Sequence, residues 1–423
     1  MTWVPGVSLR EMRANLGWNG PELYVGTDGQ RLVWGGPQQA VLVLGPPRSG
    51  KTSSLVVPNV LAAPGPVVVT STKPDILQAT LASRLALGRC WLFDPSGTVQ
   101  VLPGANVLRW SPVGASAWWE EALVTARVMT AAARPRGYYG ESAHWTERAE
   151  ALLAPLLHAA ALSGTGMRQV LGWVLCQDLY NPKAVLDGAG AAVASDVLAG
   201  ILATEDREKS GIFSTAAGVL AAYRSERALE AADRPNFDPG RFPASGETVY
   251  VCAPARYQVL TAPVAVAFLE QVRAATYQAA SAGALRLPVT LVLDEVANIA
   301  PLPDLPAMVS EGGGQGPRAS YQLAGRASST APTRQDRPPS PPHIGVWLPG
   351  GPPAPALSQA PPSPAPSSSW AAWPVPVPHR QPACPAWRYW SSPWRLGPGP
   401  RPSPPARSST RPPRRAHCPT PLA

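Results

Sequence analysis

Residues 40–61 read AVLVLGPPRSGKTSSLVVPNVL, and this stretch decides the fold. Ala40–Leu44 is a continuous apolar run, the pattern of a strand buried on both faces of a parallel sheet. Gly45 to Thr52, GPPRSGKT, fits G-x-x-x-x-G-K-[ST] at every fixed position. A phosphate chain concentrates negative charge, and backbone N–H groups can surround it only where no side chain intrudes, hence Gly45 and Gly50. Lys51 supplies a mobile point charge for the β- and γ-phosphates, and the Thr52 hydroxyl can ligate Mg²⁺. A helix over Lys51–Leu61, kinked or ended by Pro58, points its positive end at the loop. Gly45, Pro46, Pro47, Arg48, Ser49, Gly50, Lys51, Thr52 and Ser53 are the expected phosphate-binding residues, with ATP and Mg²⁺ as the expected ligands.

The same grammar repeats downstream. Val67–Thr70 reads as a strand, followed by a polar turn and a helix from about Asp75 to Ala86. CWLFDPSG adds a strand ending at Asp94. Strands alternating with helices predict an α/β fold with a mostly parallel sheet. From residue 115 to 235 the strand signal fades. In HWTERAEALLAPLLHAA, residues Trp145, Ala149, Leu152, Leu153 and Leu156 recur at helical spacing. The tryptophans here and in SAWWEE are read as helix packing rather than base-stacking groups. Strands resume at Thr248–Pro254 and Val289–Leu293. The expected organisation is an N-terminal segment 1–38, a nucleotide-binding core split into 39–114 and 240–316, a helical insertion 115–235, and a tail 317–423.

VTLVLDEVAN delivers Asp294 and Glu295 to the carboxyl edge of the sheet, where ligands of such sheets bind. Asp294 is the expected Mg²⁺ ligand, and Glu295 the carboxylate that polarises an attacking water beside Lys51. Lys73 and Asp75, after the second strand, are open to two readings: a turn with a helix cap, or groups close to the nucleotide. Asp94 reads more naturally as a turn residue. Cys90, Cys176 and Cys252 are far apart and read as buried small hydrophobes, not metal ligands. No apolar run reaches the ~18–20 residues of a membrane span.

Several stretches resemble type IV coupling proteins, the RecA-like TraG/TraD-type P-loop ATPases of conjugative DNA transfer. They are PGPVVVTSTKPD (Pro64–Asp75), WLFDPSG (Trp91–Gly97), NVLRWSPV (Asn106–Val113), HWTERAEALLAPLL (His144–Leu157) and LDEVANIAPLPDLPAMVSEGGGQG (Leu293–Gly316). The likeness runs from about Gln39 to Gly316, and its last segment is the most specific. It implies a homo-hexameric pump for DNA, working with a relaxosome substrate and with type IV secretion channel components. It makes the helical insertion the family's all-α domain and adds Glu311 and Gln315 as candidate sensors beside Lys73 and Asp75. Such proteins usually begin with transmembrane helices. No such helix is read here, which leaves three accounts open: a soluble variant, a protein that works with a separate membrane subunit, or a start at the wrong Met. The expected location is cytoplasmic, with a peripheral place at the inner face of the plasma membrane as the alternative. An FtsK-like translocase shares the two nucleotide motifs but not the last segment. A nucleotide-bound scaffold with a basic nucleic-acid-binding tail is the non-enzymatic alternative.

The chain changes character after Gly316. Residues 317–423 hold 29 of the 53 prolines, 12 arginines, no lysine and one acid, Asp336. The net charge of +9 resides there, because the preceding residues carry 24 bases and 26 acids. Six tryptophans lie in this segment, from Trp347 to Trp394. Two accounts compete: a disordered, basic, Pro-rich tail, and a change of reading frame in GC-rich DNA near codon 316. The second also leaves the sheet without its later strands. On that account, one of the other two frames after codon 316 encodes an apolar strand followed by more RecA-like sequence. Translation of the gene in those frames checks this, and two frames without such a strand refute it.

Overall fold

The computed structural model describes residues 9–15, 20, 22–28, 31–36, 40–45, 49–133, 142–303, 305, 320–326 and 345–347. All of them fall within one compact unit, Met1–Pro352. Helix α1 (Leu9–Asn15) and the antiparallel pair β1 (Tyr24–Asp28) and β2 (Arg31–Trp34) precede β3 (Val41–Gly45). A π-helical turn over Thr52–Val56 then leads into α2 (Val57–Ala62). Pro58 has no N–H to donate to Ser54, and the backbone widens just before it, with the Val57 N–H reaching back to the Thr52 carbonyl. The expected kink is therefore a π turn, and the helix continues past Pro58 to Ala62.

Next come β4 (Val67–Ser71), α3 (Asp75–Leu85), β5 (Cys90–Phe93), β6 (Ala105–Val107) and α4 (Pro112–Ala115). The helical module is α5 (Trp119–Ala132), α6 (Ser142–Leu162), α7 (Met167–Cys176), α8 (Tyr180–Gly188), α9 (Ala192–Leu202), α10 (Asp206–Val219) and α11 (Glu226–Ala232). The chain returns through β7 (Thr248–Cys252), α12 (Gln258–Ser281), β8 (Thr290–Asp294), α13 (Val296–Ile299), β9 (Ser320–Arg326) and β10 (Gly345–Trp347).

Eight strands form one sheet in the order β10-β3-β9-β8-β4-β7-β5-β6. Every neighbouring pair is parallel except β10 with β3. Strands β4, β5, β7 and β8 are buried along their whole length, which is why they read as unbroken apolar runs.

The sheet does not stop at Gly316. β9 lies between β3 and β8, with Leu42 beside Leu323 and Asp294 beside Ala324. Pro317 precedes this strand and so removes no donor from its ladder. Ser320–Arg326 lacks the unbroken apolar run of β8, because Gln322, Gly325 and Arg326 interrupt it, so the sequence does not mark it as a central strand. The polar residue Arg326 ends β9 beside Gly45.

The helical module and the sheet share a core. Phe93 of β5, Trp110 and Phe268 of α12 form an aromatic cluster, with Phe93 and Phe268 centroids 4.7 Å apart and Trp110 and Phe268 5.6 Å apart. The same core takes in Ala149, Leu152, Leu153 and Leu156 of α6. Trp145 packs where Gly211 of α10 offers no side chain; a Cβ there would lie 2.4 Å from the indole. Trp119 lies against His158, but Trp118 is 75% exposed and does not fit the packing expectation. Cys176 is likewise exposed, whereas Cys90 and Cys252 are buried. α12 is the one described helix whose length and composition would let it cross a membrane, and it is mostly buried in the core.

Two buried arginines close the far end of the phosphate-loop helix. On α3, Arg84 Nη1 donates to the Ala63 carbonyl (2.7 Å), Nη2 to the Gly65 carbonyl (2.7 Å), and Nε to Thr248 Oγ1 on β7 (2.7 Å). Burial pushes this guanidinium down to about 10, so it stays charged at neutral pH. Arg13 Nη1 donates to the Ala62 carbonyl, and its Nη2 to the Gly20 and Glu22 carbonyls. Asn59 of α2 exchanges two 2.8 Å hydrogen bonds with the Tyr24 backbone. The N-terminal segment is thus fastened to the phosphate-loop helix. Replacing Arg84 by Met leaves buried carbonyls without donors and is expected to cost about 3 kcal/mol or more. Urea unfolding reads this as a lower midpoint at unchanged slope, and a shift worth under about 1 kcal/mol would contradict it.

Candidate nucleotide site

Gly50, at φ +83°, takes a backbone conformation that L side chains rarely adopt. Lys51 follows with helical dihedrals, and the Ser54 N–H donates to the Gly50 carbonyl at 2.8 Å. Thr52 Oγ1 donates to Asp294 Oδ2 at 3.1 Å, across 242 residues of sequence. β3 and β8 are both parallel to the strand between them, so their carboxyl ends lie on one edge of the sheet. That placement brings the loop threonine to the acidic strand. Thr70 of β4 fixes the Asp294 backbone by donating to its carbonyl at 2.7 Å.

A cleft of about 580 Å³ is lined by Ser49, Gly50, Lys51, Thr52 and Ser53, by Ser71 to Lys73 and Asp75, and by Asp294 and Glu295. The phosphate loop, the acidic pair and both residues left open after β4 therefore meet in one place. Lys73 and Asp75 also make the expected turn: the Lys73 N–H donates to Ser71 Oγ, and the Ile76 N–H to Asp75 Oδ1 at 2.9 Å. They shape the turn into α3 and line the cleft together. Asp94 does not line it; its carboxylate accepts from the backbone N–H groups of Ser96, Thr98 and Val99, which makes it the organiser of a turn. Pro46, Pro47, Arg48, Glu311 and Gln315 lie outside the described residues.

Asp294 is 7% exposed. Burial pushes its carboxyl up to about 6, and the charges of Glu295 and Asp75 push the same way, against the hydrogen bond from Thr52. Glu295 turns the chain at φ 53°, ψ 33°, left-handed geometry that is uncommon outside glycine. Its Oε2 accepts from Asn298 Nδ2 at 2.9 Å. Asn298 escaped the sequence reading because an amide three residues after an acid carries no distinctive pattern.

A sequence profile for the family described as Type IV secretory system Conjugative DNA transfer matches residues 10–314. The chain belongs to this family. The match begins earlier than the likeness read from Gln39, taking in the segment that Arg13 and Asn59 fasten to α2. Among solved structures, the chain is similar to the bacterial conjugative coupling protein TrwBΔN70 in an unbound monoclinic form (19% identity, 62% of each chain, TM-score 0.42). It is also similar to the plasmid coupling protein TrwB in complex with ADP and Mg²⁺ (18% identity, 62% of this chain and 63% of that one, TM-score 0.43). A TrwB complex with the ATP analogue ADPNP aligns at 17% identity over 62% of this chain and 64% of that one, TM-score 0.41. The chain thus spans less than two thirds of these TrwB structures. No curated protein matches it.

The Asp294 environment gives a stability signature. Its folded-state pKa, about 6, lies above the ~3.9 of an unfolded aspartate. Between those values the native state binds more protons, so stability falls as pH rises from about 4 to about 6 and stays lower above that. Asp294→Asn cannot ionise and escapes the loss, while its amide oxygen still accepts from Thr52. Metal-free Asp294→Asn is expected to exceed the wild type by roughly 2 kcal/mol at pH 7.5 and to match it near pH 4. Thermal unfolding in chelator at both pH values measures the difference, and equal melting temperatures at pH 7.5 would contradict it.

Proposed function

We propose that the chain binds and hydrolyses Mg²⁺-ATP as a motor subunit of conjugative DNA transfer. The observation that carries this is the contact between the Thr52 hydroxyl and the Asp294 carboxylate beside Lys51. Two hard oxygen donors at the phosphate loop suit Mg²⁺, which takes one or two protein oxygens and completes its shell with phosphate and water. Bound there, the ion would neutralise charge on the transferred phosphoryl group. The backbone of Gly45 to Ser53 cradles the phosphates, and Lys51 neutralises the β- and γ-oxygens. Glu295 orients the attacking water and takes up its proton. Lys73, on the same cleft, contacts the terminal phosphate, and Asp75 holds the turn that presents it.

Family membership favours this reading over an FtsK-like translocase. It supports DNA with its relaxosome proteins as the cargo, and the secretion channel as the partner, with subunits in a hexameric ring at the membrane. The helical module 115–235 takes substrate recognition in this reading.

ATP turnover by the full chain tests the reading, with binding of a fluorescent ATP analogue measured separately. Glu295→Gln is expected to bind nucleotide within about threefold of wild type and to lose about 100-fold or more in kcat. Lys51→Ala is expected to lose binding and turnover together, and Lys73→Ala to lose about tenfold in kcat. Turnover that survives Lys51→Ala at the wild-type rate would sink the proposal. Absence of turnover in the wild-type chain would leave the scaffold alternative.

A further inference from the structure

β8 ends at Asp294, and Glu295 makes its left-handed turn directly into α13, a helix of only four residues. A carboxylate on so short an element needs something else to fix its direction. Asn298 supplies two links to the same residue: its backbone N–H donates to the Glu295 carbonyl at 2.8 Å, and its side-chain Nδ2 to Glu295 Oε2 at 2.9 Å. Only the amide nitrogen of Asn298 has hydrogens to give a carboxylate, so chemistry fixes which way round the amide sits. The platform beneath is rigid. Val296 is 5% exposed, and Ile299 and Ala300 are fully buried, so α13 cannot roll without opening the core.

The geometry points to Asn298 as a positioning residue that holds the Glu295 carboxylate toward the nucleotide cleft. With Oε2 held, the other carboxylate oxygen is left to orient a water, and the rotamer is set before substrate arrives. The entropy of ordering the side chain is then met in the folded apo-protein rather than at the moment of reaction. Asn298 touches neither phosphate nor metal in this role and acts through Glu295. The inference rests on the hydrolytic reading above.

The test compares Asn298→Ala, Asn298→Leu and Asn298→Gln in the full chain, each also made with Glu295→Ala. The leucine variant keeps the side-chain volume without the donor, and the glutamine variant returns an amide on a longer arm. In both donor-free variants kcat is expected to fall about 10- to 100-fold, with KM and the affinity for a fluorescent ATP analogue within about threefold. Asn298→Gln is expected to recover part of the loss. With Glu295→Ala present, the same changes are expected to alter residual turnover less than about twofold, because the residue they act through is gone. A folded donor-free variant with wild-type kcat overturns the inference and leaves the hydrolytic reading intact. So does a loss that falls equally on binding and turnover, or that persists with Glu295→Ala. A wild-type chain that hydrolyses no ATP overturns both, and that result is distinguishable because it appears before any Asn298 variant is compared.

Discussion

The guanidinium of Arg84 is buried against the closing end of the phosphate-loop helix, and much else depends on that placement. It joins carbonyls at the end of α2 to Thr248 on β7 from its own position on α3, so one side chain ties two early helices to a strand that follows the helical module. A positive charge at a helix C-terminus also complements the macrodipole whose positive end faces the phosphate loop. Backbone packing nearby is tight. A Cβ at Gly246 would lie 2.4 Å from the Leu87 carbonyl, and one at Gly88 2.7 Å from the Gly246 backbone. Loops at the amino edge of the sheet are thus fixed backbone against backbone, and the opposite edge, where the loop and the acidic pair meet, inherits its geometry from them.

Strain and electrostatic cost are concentrated at that opposite edge. Asp294 is held where burial disfavours its charge, and Glu295 occupies a left-handed conformation that costs on the order of 1 kcal/mol or more in a non-glycine residue. Neither helps the fold by itself. Both are tolerated because β4, β7 and β8 are buried throughout and the Asp294 backbone is pinned by Thr70. A cation at Thr52 and Asp294 would relieve the first cost by stabilising the carboxylate, which links ligand binding to stability.

The parts of the site legible in the sequence were those set by local pattern. GPPRSGKT and the strand ending in Asp294–Glu295 each carry their chemistry in a few consecutive residues, and alternation of strands and helices gave the sheet. Contacts between distant backbone groups were not legible. Arg84 pairs with carbonyls, which every residue has, so nothing in LASRLALG marks its arginine as structural. Arg13 and Asn59 fasten the N-terminal segment through carbonyls and one backbone N–H in the same way, and that segment carried no pattern of its own. β9 is hard to read for a different reason: Gln322, Gly325 and Arg326 break its apolar signal, where β8 runs TLVL up to its acid. Trp118 and Cys176 show the opposite error: residue type alone predicts burial, but Trp118 is the extended residue before α5 and Cys176 the last residue of α7, and both lie exposed.

α12 is where the helical module and the acidic turn come together. It packs on α5 of the module and on α13 after Glu295, and Phe268 near its middle is fully buried among aromatic rings from β5 and the segment before α4. A densely packed helix transmits displacement as a rigid body, because no void exists to absorb it. The helical module is therefore not tethered to the nucleotide core by linkers alone. Anything that moves α5 relative to the sheet must either move α12 with it or open the aromatic cluster, and the second costs several kcal/mol for each ring uncovered (about 3–5 for truncating one buried phenylalanine). Displacing the helix whole is the cheaper course, and α13 with the Glu295 turn lies against it.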